Sequence, residues 1–252
     1  MCRHLAYVGA PVTLAELVLD PPHSLLHQSW APADMRGGGT INADGFGLGW
    51  HPSPGSDAVR YRRSSAIWTD LSLTHLARAV RSGCVLAAVR SASAGMPVVE
   101  TAAAPFTYGR WLFSHNGLVA GWPGSVTKLA ATIPVEDLVT LDAPTDSALL
   151  WALVRHRLRA GASPGEALAG VAADVVRLAP RSRLNLLLTD GEMIAATTWT
   201  HALSVRDGPG GVAVSSEPLD LDDTSWRQVP DRCVVEAWPG TVKQYPLDEA
   251  AA

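Results

Sequence analysis

Basic charge is what this sequence most plainly lacks. Lysine occurs only at Lys128 and Lys243, and 20 Lys and Arg face 24 Asp and Glu, for a net charge of −4. Nucleic acid and anionic membrane surfaces both select a local basic footprint, and no Lys/Arg cluster offers one. Cysteine is also scarce. Cys2, Cys84 and Cys233 are scattered and form no CxxC pair, which argues against a disulfide framework and a zinc knuckle. No apolar run reaches the roughly 18 residues of a spanning helix. Met1 to Ala10 shows no charged segment followed by an apolar one, as a secretory signal would. A cytoplasmic protein is the expectation. Eight histidines run from His4 to His201 without HExxH or HxH spacing, so neither a metal nor a cofactor is expected. A GxSxG elbow is missing too, which weakens a Ser-His-Asp reading.

What is present is ordinary globular material, 47% hydrophobic and 17% charged over 252 residues. That length buries a full core and fits one large sandwich, residues 1–252 as a single domain. Cys2–Val8 reads as a strand. Thr13-Leu-Ala-Glu16 is a capping box opening a short helix that Pro21-Pro22 stops. Leu73, Leu76, Ala77 and Val80 follow helical spacing, which predicts a helix over Asp70–Arg81. Val85–Ser91 and Trp111–Ser114 read as strands. Thr145 caps a helix to Ala160, and Ser163-Pro-Gly-Glu166 caps another. Beyond Pro180 strands take over, and Asp190-Gly191 marks a hairpin between Leu184–Thr189 and Met193–Thr198. Strands, then helices, then strands, without βαβ alternation, predict an α+β fold with antiparallel sheets and helices outside.

Five features carry chemistry. Cys2 becomes the first residue if Met1 is removed, and then holds a thiol and a free α-amino group, whose pKa values lie at about 8.5 and about 7.7–8.0. The amine can take the thiol proton and later protonate a leaving amine. The plainer reading is a structural cysteine. Arg90 ends an apolar strand, where its guanidinium can grip a carboxylate, with Ser93 adding a hydroxyl donor. A salt-bridging arginine is the plainer reading. His115-Asn116-Gly117 follows a strand, and the Asn116 amide and Gly117 N–H can converge as an oxyanion hole. An Asn-Gly turn is the alternative. Asp146, in Thr145-Asp146-Ser147, can bind a substrate ammonium or simply face the helix dipole. Asn42-Ala-Asp44-Gly-Phe-Gly-Leu-Gly-Trp50 has no following Lys-Ser/Thr, so it reads as a tight turn entering a strand against another backbone rather than as a phosphate loop.

Taken together and in this order, the position-2 Cys, strand-end Arg, Asn-Gly and Thr-Asp-Ser resemble the class II glutamine amidotransferase family. The resemblance covers nearly the whole chain. It implies the four-layer αββα sandwich of N-terminal-nucleophile hydrolases. It also implies Cys2 as nucleophile, Asn116 and Gly117 as oxyanion hole, Arg90 on the glutamyl α-carboxylate and Asp146 on the α-ammonium. MCRHLAYVG at the start, Asp44–Trp50, Ala104-Pro105-Phe106 and Ser216-Glu217-Pro218 resemble one branch of that family, the ergothioneine-pathway γ-glutamyl hydrolases. Those act on γ-glutamyl-hercynylcysteine sulfoxide. The chain departs from the wider family at Ser91, where Trp is frequent, and at Ala94, where His is frequent.

Three functions compete. A stand-alone hydrolase leads, its partner a small γ-glutamyl substrate. A glutaminase subunit feeding ammonia to a synthase comes second, since no residues beyond this domain are expected to supply an acceptor site. A non-catalytic module comes third. For the leaving group, the expected walls are the loops Ser29–Asn42 and Ser215–Asp223. Asp34, Asp44, Glu217 or a Trp such as Trp30, Trp50 or Trp122 would meet a cationic trimethylammonium there.

Overall fold

The computed structural model describes residues 2–36, 38, 39 and 41–250. The expected loss of Met1 therefore concerns a residue outside the described ones, as do Gly37 and Thr40 of the Ser29–Asn42 loop. In chain order the strands are β1 (Arg3–Thr13), β2 (Phe46–Trp50), β3 (Val59–Arg63), β4 (Arg81–Val89), β5 (Phe106–Tyr108), β6 (Trp111–Leu118), β7 (Arg183–Thr189), β8 (Ile194–Thr197), β9 (Ser204–Gly208), β10 (Gly211–Ser215), β11 (Arg227–Gln228), β12 (Cys233–Trp238) and β13 (Thr241–Pro246). They form two sheets, ordered β11-β9-β10-β1-β4-β2-β3 and β13-β12-β8-β7-β6-β5. Each recorded pairing is antiparallel.

The sheets stack face to face. Ala6, Val8 and Leu86 of the first meet Leu112, Leu187, Ala196 and Val235 of the second in a shared apolar layer. Three short helices, α1 (Ala15–Val18), α2 (Leu25–Gln28) and α3 (Leu73–Ala79), cover the first sheet's outer face, packing Leu17, Leu25 and Leu73 on Leu5, Tyr7 and Phe46. The second sheet carries α4 (Thr127–Ala130), α5 (Val135–Val139), α6 (Asp146–Arg159), α7 (Pro164–Leu178) and α8 (Leu247–Ala250). Layer by layer this is helix, sheet, sheet, helix, the αββα sandwich that the family resemblance implies.

Local chemistry sets the main helices. Thr145 caps α6, its side chain accepting from Ala148 N–H, and Ser163 with Glu166 closes a complete capping box on α7. Leu149, Leu150, Leu153 and Val154 of α6 are buried, each contributing about 1.5–3 kcal/mol of apolar burial. The Asp44–Trp50 segment enters β2 as the glycine pattern suggests. A Cβ on Gly47 would lie 2.2 Å from the Ala104 carbonyl oxygen, so only glycine admits that close approach.

Several boundaries differ from expectation: β1 runs on to Thr13 instead of ending at Val8, and β4 spans Arg81–Val89 instead of Val85–Ser91. The predicted Asp70–Arg81 helix is shorter, because Val80 is already extended and Arg81 opens β4 opposite Thr13 of β1. His115-Asn116-Gly117 does not follow a strand. It lies inside β6, because β7 keeps pairing with it as far as Leu118 opposite Arg183. The turn alternative for Asn116-Gly117 falls with that observation.

Candidate active site

Cys2 immediately precedes β1, on which side chains alternate between faces. Ala6 and Val8 point between the sheets, whereas Leu5 and Tyr7 point to the outer helices. Cys2, on the parity of Ala6, joins a small cavity lined also by Arg90, Phe106, Ser114, His115 and Ser147. Its half-buried thiol donates to the Ser91 carbonyl at 3.8 Å.

Arg90 lies just beyond β4. Its Nη1 donates to the carbonyls of Pro97 at 2.9 Å and Asp44 at 3.4 Å, which orient the guanidinium and leave its remaining N–H groups for an anion. Asp44 is not a free acid. Its carboxylate accepts Ala92 N–H at 2.8 Å, pinning the segment after Arg90. Ser93 is exposed near the turn at Ala94-Gly95 and is not among the residues lining the cavity.

Asn116 and Gly117 stand opposite Asn185 and Leu184 of β7. Strand β5 pairs with β6 only from Trp111 to Phe113, so past that point one edge of β6 has no strand beside it. Alternate backbone N–H groups along Ser114–Leu118 are therefore unclaimed by a ladder on that side. Asn116 is buried, with its Oδ1 unpaired. Gly117 has a steric reason as well as a chemical one, since a Cβ there would fall 1.8 Å from the Arg183 carbonyl oxygen.

Asp146, the first residue of α6, is buried. Its Oδ2 accepts Val119 N–H at 2.9 Å and its Oδ1 accepts Ser147 N–H at 2.7 Å. Oδ1 also lies 3.4 Å from Ser147 Oγ, and Oδ2 keeps a lone pair for a further donor. Ser147 Oγ lies 3.0 Å from His115 Nδ1, and His115 Nε2 lies 3.0 Å from the Arg183 carbonyl. A carbonyl only accepts, so Nε2 carries a proton, while Ser147 Oγ stands between Nδ1 and the Asp146 carboxylate, whose Oδ1 is 3.4 Å from it. Both ring nitrogens of His115 are thus occupied. His4 is neutral in the same region. Burial, with the charges of His115, His201 and Arg3 nearby, pushes its pKa down to about 3, while Nδ1 bonds Ser114 Oγ at 3.1 Å.

Sequence reading missed Ser147 and the bonding of His115. It also left Arg3 without a role, although Arg3 makes a buried ion pair with Glu217 at 2.8 Å. Glu217 is therefore unavailable as a cation ligand. Of the tryptophans named for that purpose, Trp50 and Trp122 pack against the outer cores, and Trp30 is half exposed with its ring edge-on to His27. A cleft of about 480 Å³ opens between Ala33–Met35 and Ser216–Leu221, the two loops expected to wall a leaving group.

Comparisons with known proteins agree with this architecture. Residues 17–237 match the family described as glutamine amidotransferases class-II. A γ-glutamyl-hercynylcysteine sulfoxide hydrolase from Mycolicibacterium smegmatis is 44% identical over 247 residues, 98% of this chain and 100% of that one. Its counterpart from Mycobacterium tuberculosis is 40% identical over 99% of this chain and 98% of that one. Among solved structures, a glutamine aminotransferase class-II domain protein from Silicibacter pomeroyi superposes with a TM-score of 0.70 at 25% identity, covering 98% of this chain and 99% of that one. The chain belongs to the class II glutamine amidotransferases.

Proposed function

We propose that this chain hydrolyses the γ-glutamyl amide bond of γ-glutamyl-hercynylcysteine sulfoxide, releasing glutamate and hercynylcysteine sulfoxide. One observation carries the reading. Cys2 and Arg90 share a cavity in a chain 44% identical, over 98% of its length, to a hydrolase of that name.

In the proposed mechanism Met1 is removed and the freed α-amino group of Cys2 takes the thiol proton. The thiolate attacks the amide carbon. The resulting oxyanion is met by the Asn116 side-chain amide and the Gly117 N–H. The α-ammonium then protonates the departing amine, the C–N bond breaks and a thioester remains. Water, deprotonated by the same amine, attacks the thioester and glutamate leaves as the thiol is re-formed. Arg90 holds the glutamyl α-carboxylate through the N–H groups that Pro97 and Asp44 leave free. Asp146 holds the α-ammonium through the lone pair that its Oδ2 keeps free. Ser93 is our remaining candidate for a donor at the outer edge.

The cleft between Ala33–Met35 and Ser216–Leu221 is our candidate for the hercynyl group. With Asp44 and Glu217 committed elsewhere, Asp34 is the carboxylate on that wall, and burial of a trimethylammonium beside it replaces the exposed Arg36 that now pairs with it at 2.6 Å. The test compares kcat/KM for γ-glutamyl-hercynylcysteine sulfoxide, glutathione and glutamine. The hercynyl conjugate is expected to lead. Glutamine turned over as well or better would favour an ammonia-donating subunit instead.

A further inference from the structure

A second buried network lies behind Cys2, on the opposite face of the first sheet. Arg3, Glu217 and His23 are 2%, 3% and 4% exposed. Arg3 Nε donates to Glu217 Oε1 at 2.8 Å, and His23 Nε2 lies 2.7 Å from Glu217 Oε2. The same carboxylate accepts Ala33 N–H at 2.8 Å and Asp34 N–H at 3.3 Å. Burial works to raise the pKa of Glu217, yet the bonds from His23 and Ala33 and the Arg3 charge hold it below the usual carboxylate range. The rest of the Arg3 guanidinium is used too. Nη1 donates to the Cys2 carbonyl at 3.0 Å, and Nη2 donates to the Asp34 carbonyl.

Three facts give this arrangement its meaning. First, β1 begins at Arg3, and its pairing with β10 begins only at Leu5. Cys2 thus stands outside the ladder that fixes the rest of the strand, and Arg3 supplies a bond to its carbonyl. Second, Arg3 and Cys2 point to opposite faces, so the network does not enter the cavity. It acts from behind. Third, a buried ion pair seldom stabilises a fold better than apolar side chains of the same volume. Apolar side chains would not bind the Cys2 carbonyl, the Asp34 carbonyl and two N–H groups of the 33–34 loop from one point.

We propose that Arg3 and Glu217, braced by His23, are positioning residues that fix Cys2 relative to the site and lock the Ala33-Asp34 lip to it. Arg3 and His23 line neither the Cys2 cavity nor the proposed hercynyl cleft, and Glu217, although in the wall of that cleft, spends its carboxylate on Arg3, His23 and the Ala33 and Asp34 N–H groups. Their effect is geometric: Cys2 is aimed by its own neighbour, and the same guanidinium sets the height of the lip. The Ser216-Glu217-Pro218 motif at one end of the chain and the Cys2-Arg3 pair at the other are two halves of one device.

The inference rests on Cys2 being the nucleophile, and the test separates the two claims. Two alkylating probes are compared on the full chain: iodoacetamide, which needs only a thiol, and a chloroketone analogue of glutamine, which needs that thiol aligned with a bound γ-glutamyl group. For Arg3→Lys and Glu217→Gln, labelling of Cys2 by the chloroketone is expected to slow by at least about tenfold. Labelling by iodoacetamide is expected to stay within about twofold, and kcat to fall more than KM rises. His23→Gln, which removes only the outer brace, should show a smaller effect of the same kind. Failure of the chloroketone to label Cys2 in the unaltered protein would remove the nucleophile reading itself. Normal labelling there, with equal loss of both probes or no loss in the variants, overturns the positioning role. So does failure of all three variants to fold, which would make the network a folding element.

Discussion

Asp146 Oδ2 accepts the N–H of Val119 at 2.9 Å, which ties the first turn of α6 to the chain just beyond β6. One carboxylate therefore joins the helix to the strand bearing Asn116 and Gly117, while its Oδ2 keeps a lone pair for a substrate cation. Asp146→Asn retains an acceptor but loses the charge. We expect a folded protein whose KM for γ-glutamyl substrates rises at least about tenfold, the worth of a hydrogen bond to a charged group. Asp146→Ala should also cost about 1–3 kcal/mol of stability by leaving Val119 N–H buried and unpaired. Steady-state kinetics beside urea unfolding separate the two effects. Unchanged KM in the Asn variant would remove Asp146 from substrate binding.

Asn116 and Arg90 should divide differently between binding and chemistry. Asn116→Ala removes a proposed oxyanion donor and should lower kcat by about 10²–10³ with little change in KM. Arg90→Lys keeps the charge but not the fork, so KM should rise more than kcat falls. Equal effects of both variants on KM alone would contradict these roles.

Gly117→Ala is expected to fail for a steric reason. The added Cβ would sit 1.8 Å from the Arg183 carbonyl oxygen and 2.6 Å from His115 Nε2, in the ladder between β6 and β7. Backbone must move, so both stability and turnover should drop, by about 1–3 kcal/mol for the overpacking. Thermal unfolding gives the first quantity directly. A variant with wild-type melting and activity would mean that β6 tolerates displacement at the proposed oxyanion hole.

How much of this was legible in the sequence depended on distance along the chain. The caps at Thr145 and Ser163 and the hairpin at Asp190-Gly191 are written within a few residues, and helix and hairpin stand where those signals put them. Strand β3 was not legible, since Val59–Arg63 carries three arginines and is extended only because β2 pairs with it. The continuation of β6 through Gly117 likewise comes from β7, nearly seventy positions away. Cys2 and Arg90 are each ambiguous in their local sequence and stand out only in combination and order with Asn116-Gly117 and Thr145-Asp146-Ser147. Glu217 was noticed within Ser216-Glu217-Pro218, but its bond to Arg3 spans 214 residues and no local pattern announces it. Ser147 was passed over beside the more conspicuous Asp146, although its hydroxyl fixes His115.

Buried histidines make the fold sensitive to mild acid. Burial, together with neighbouring positive charges, lowers the pKa of both His4 and His201 from 6.5 to about 3, and burial lowers His51 as well. The unfolded chain thus binds more protons than the folded one between about pH 6.5 and pH 3, and stability rises with pH across that window. The contribution is complete above pH 6.5 and is lost as pH falls toward 3. Between about pH 6.5 and 5 most carboxylates remain ionised, so the slope there reports the histidines. His4→Gln should flatten it without abolishing it. Urea midpoints at a series of pH values provide the measurement, and an unchanged slope in the variant would show that His4 is not buried neutral.

His115 has both nitrogens engaged, by Ser147 Oγ and the Arg183 carbonyl. His4 is held neutral with its pKa pushed to about 3, so it is a poor proton acceptor at working pH. Among the residues lining the cavity with Cys2, the histidine is thus already occupied, and Arg90 does not act as a base. The α-amino group of Cys2, once Met1 is gone, fits the task, because a free α-amine loses its proton at about pH 7.7–8.0. Active enzyme should therefore have the intact mass of the chain lacking Met1. Chain that retains Met1 should be inactive, since its Cys2 nitrogen is a non-basic amide. Cys2→Ser, processed in the same way, should slow turnover severely because a hydroxyl is far less ionised than a thiol near neutral pH. His115→Gln, by contrast, should leave the ascending limb of the pH–kcat/KM profile in place, even if kcat drops. Active material carrying Met1, or loss of that limb in the His115 variant, would transfer the role of base away from the amine.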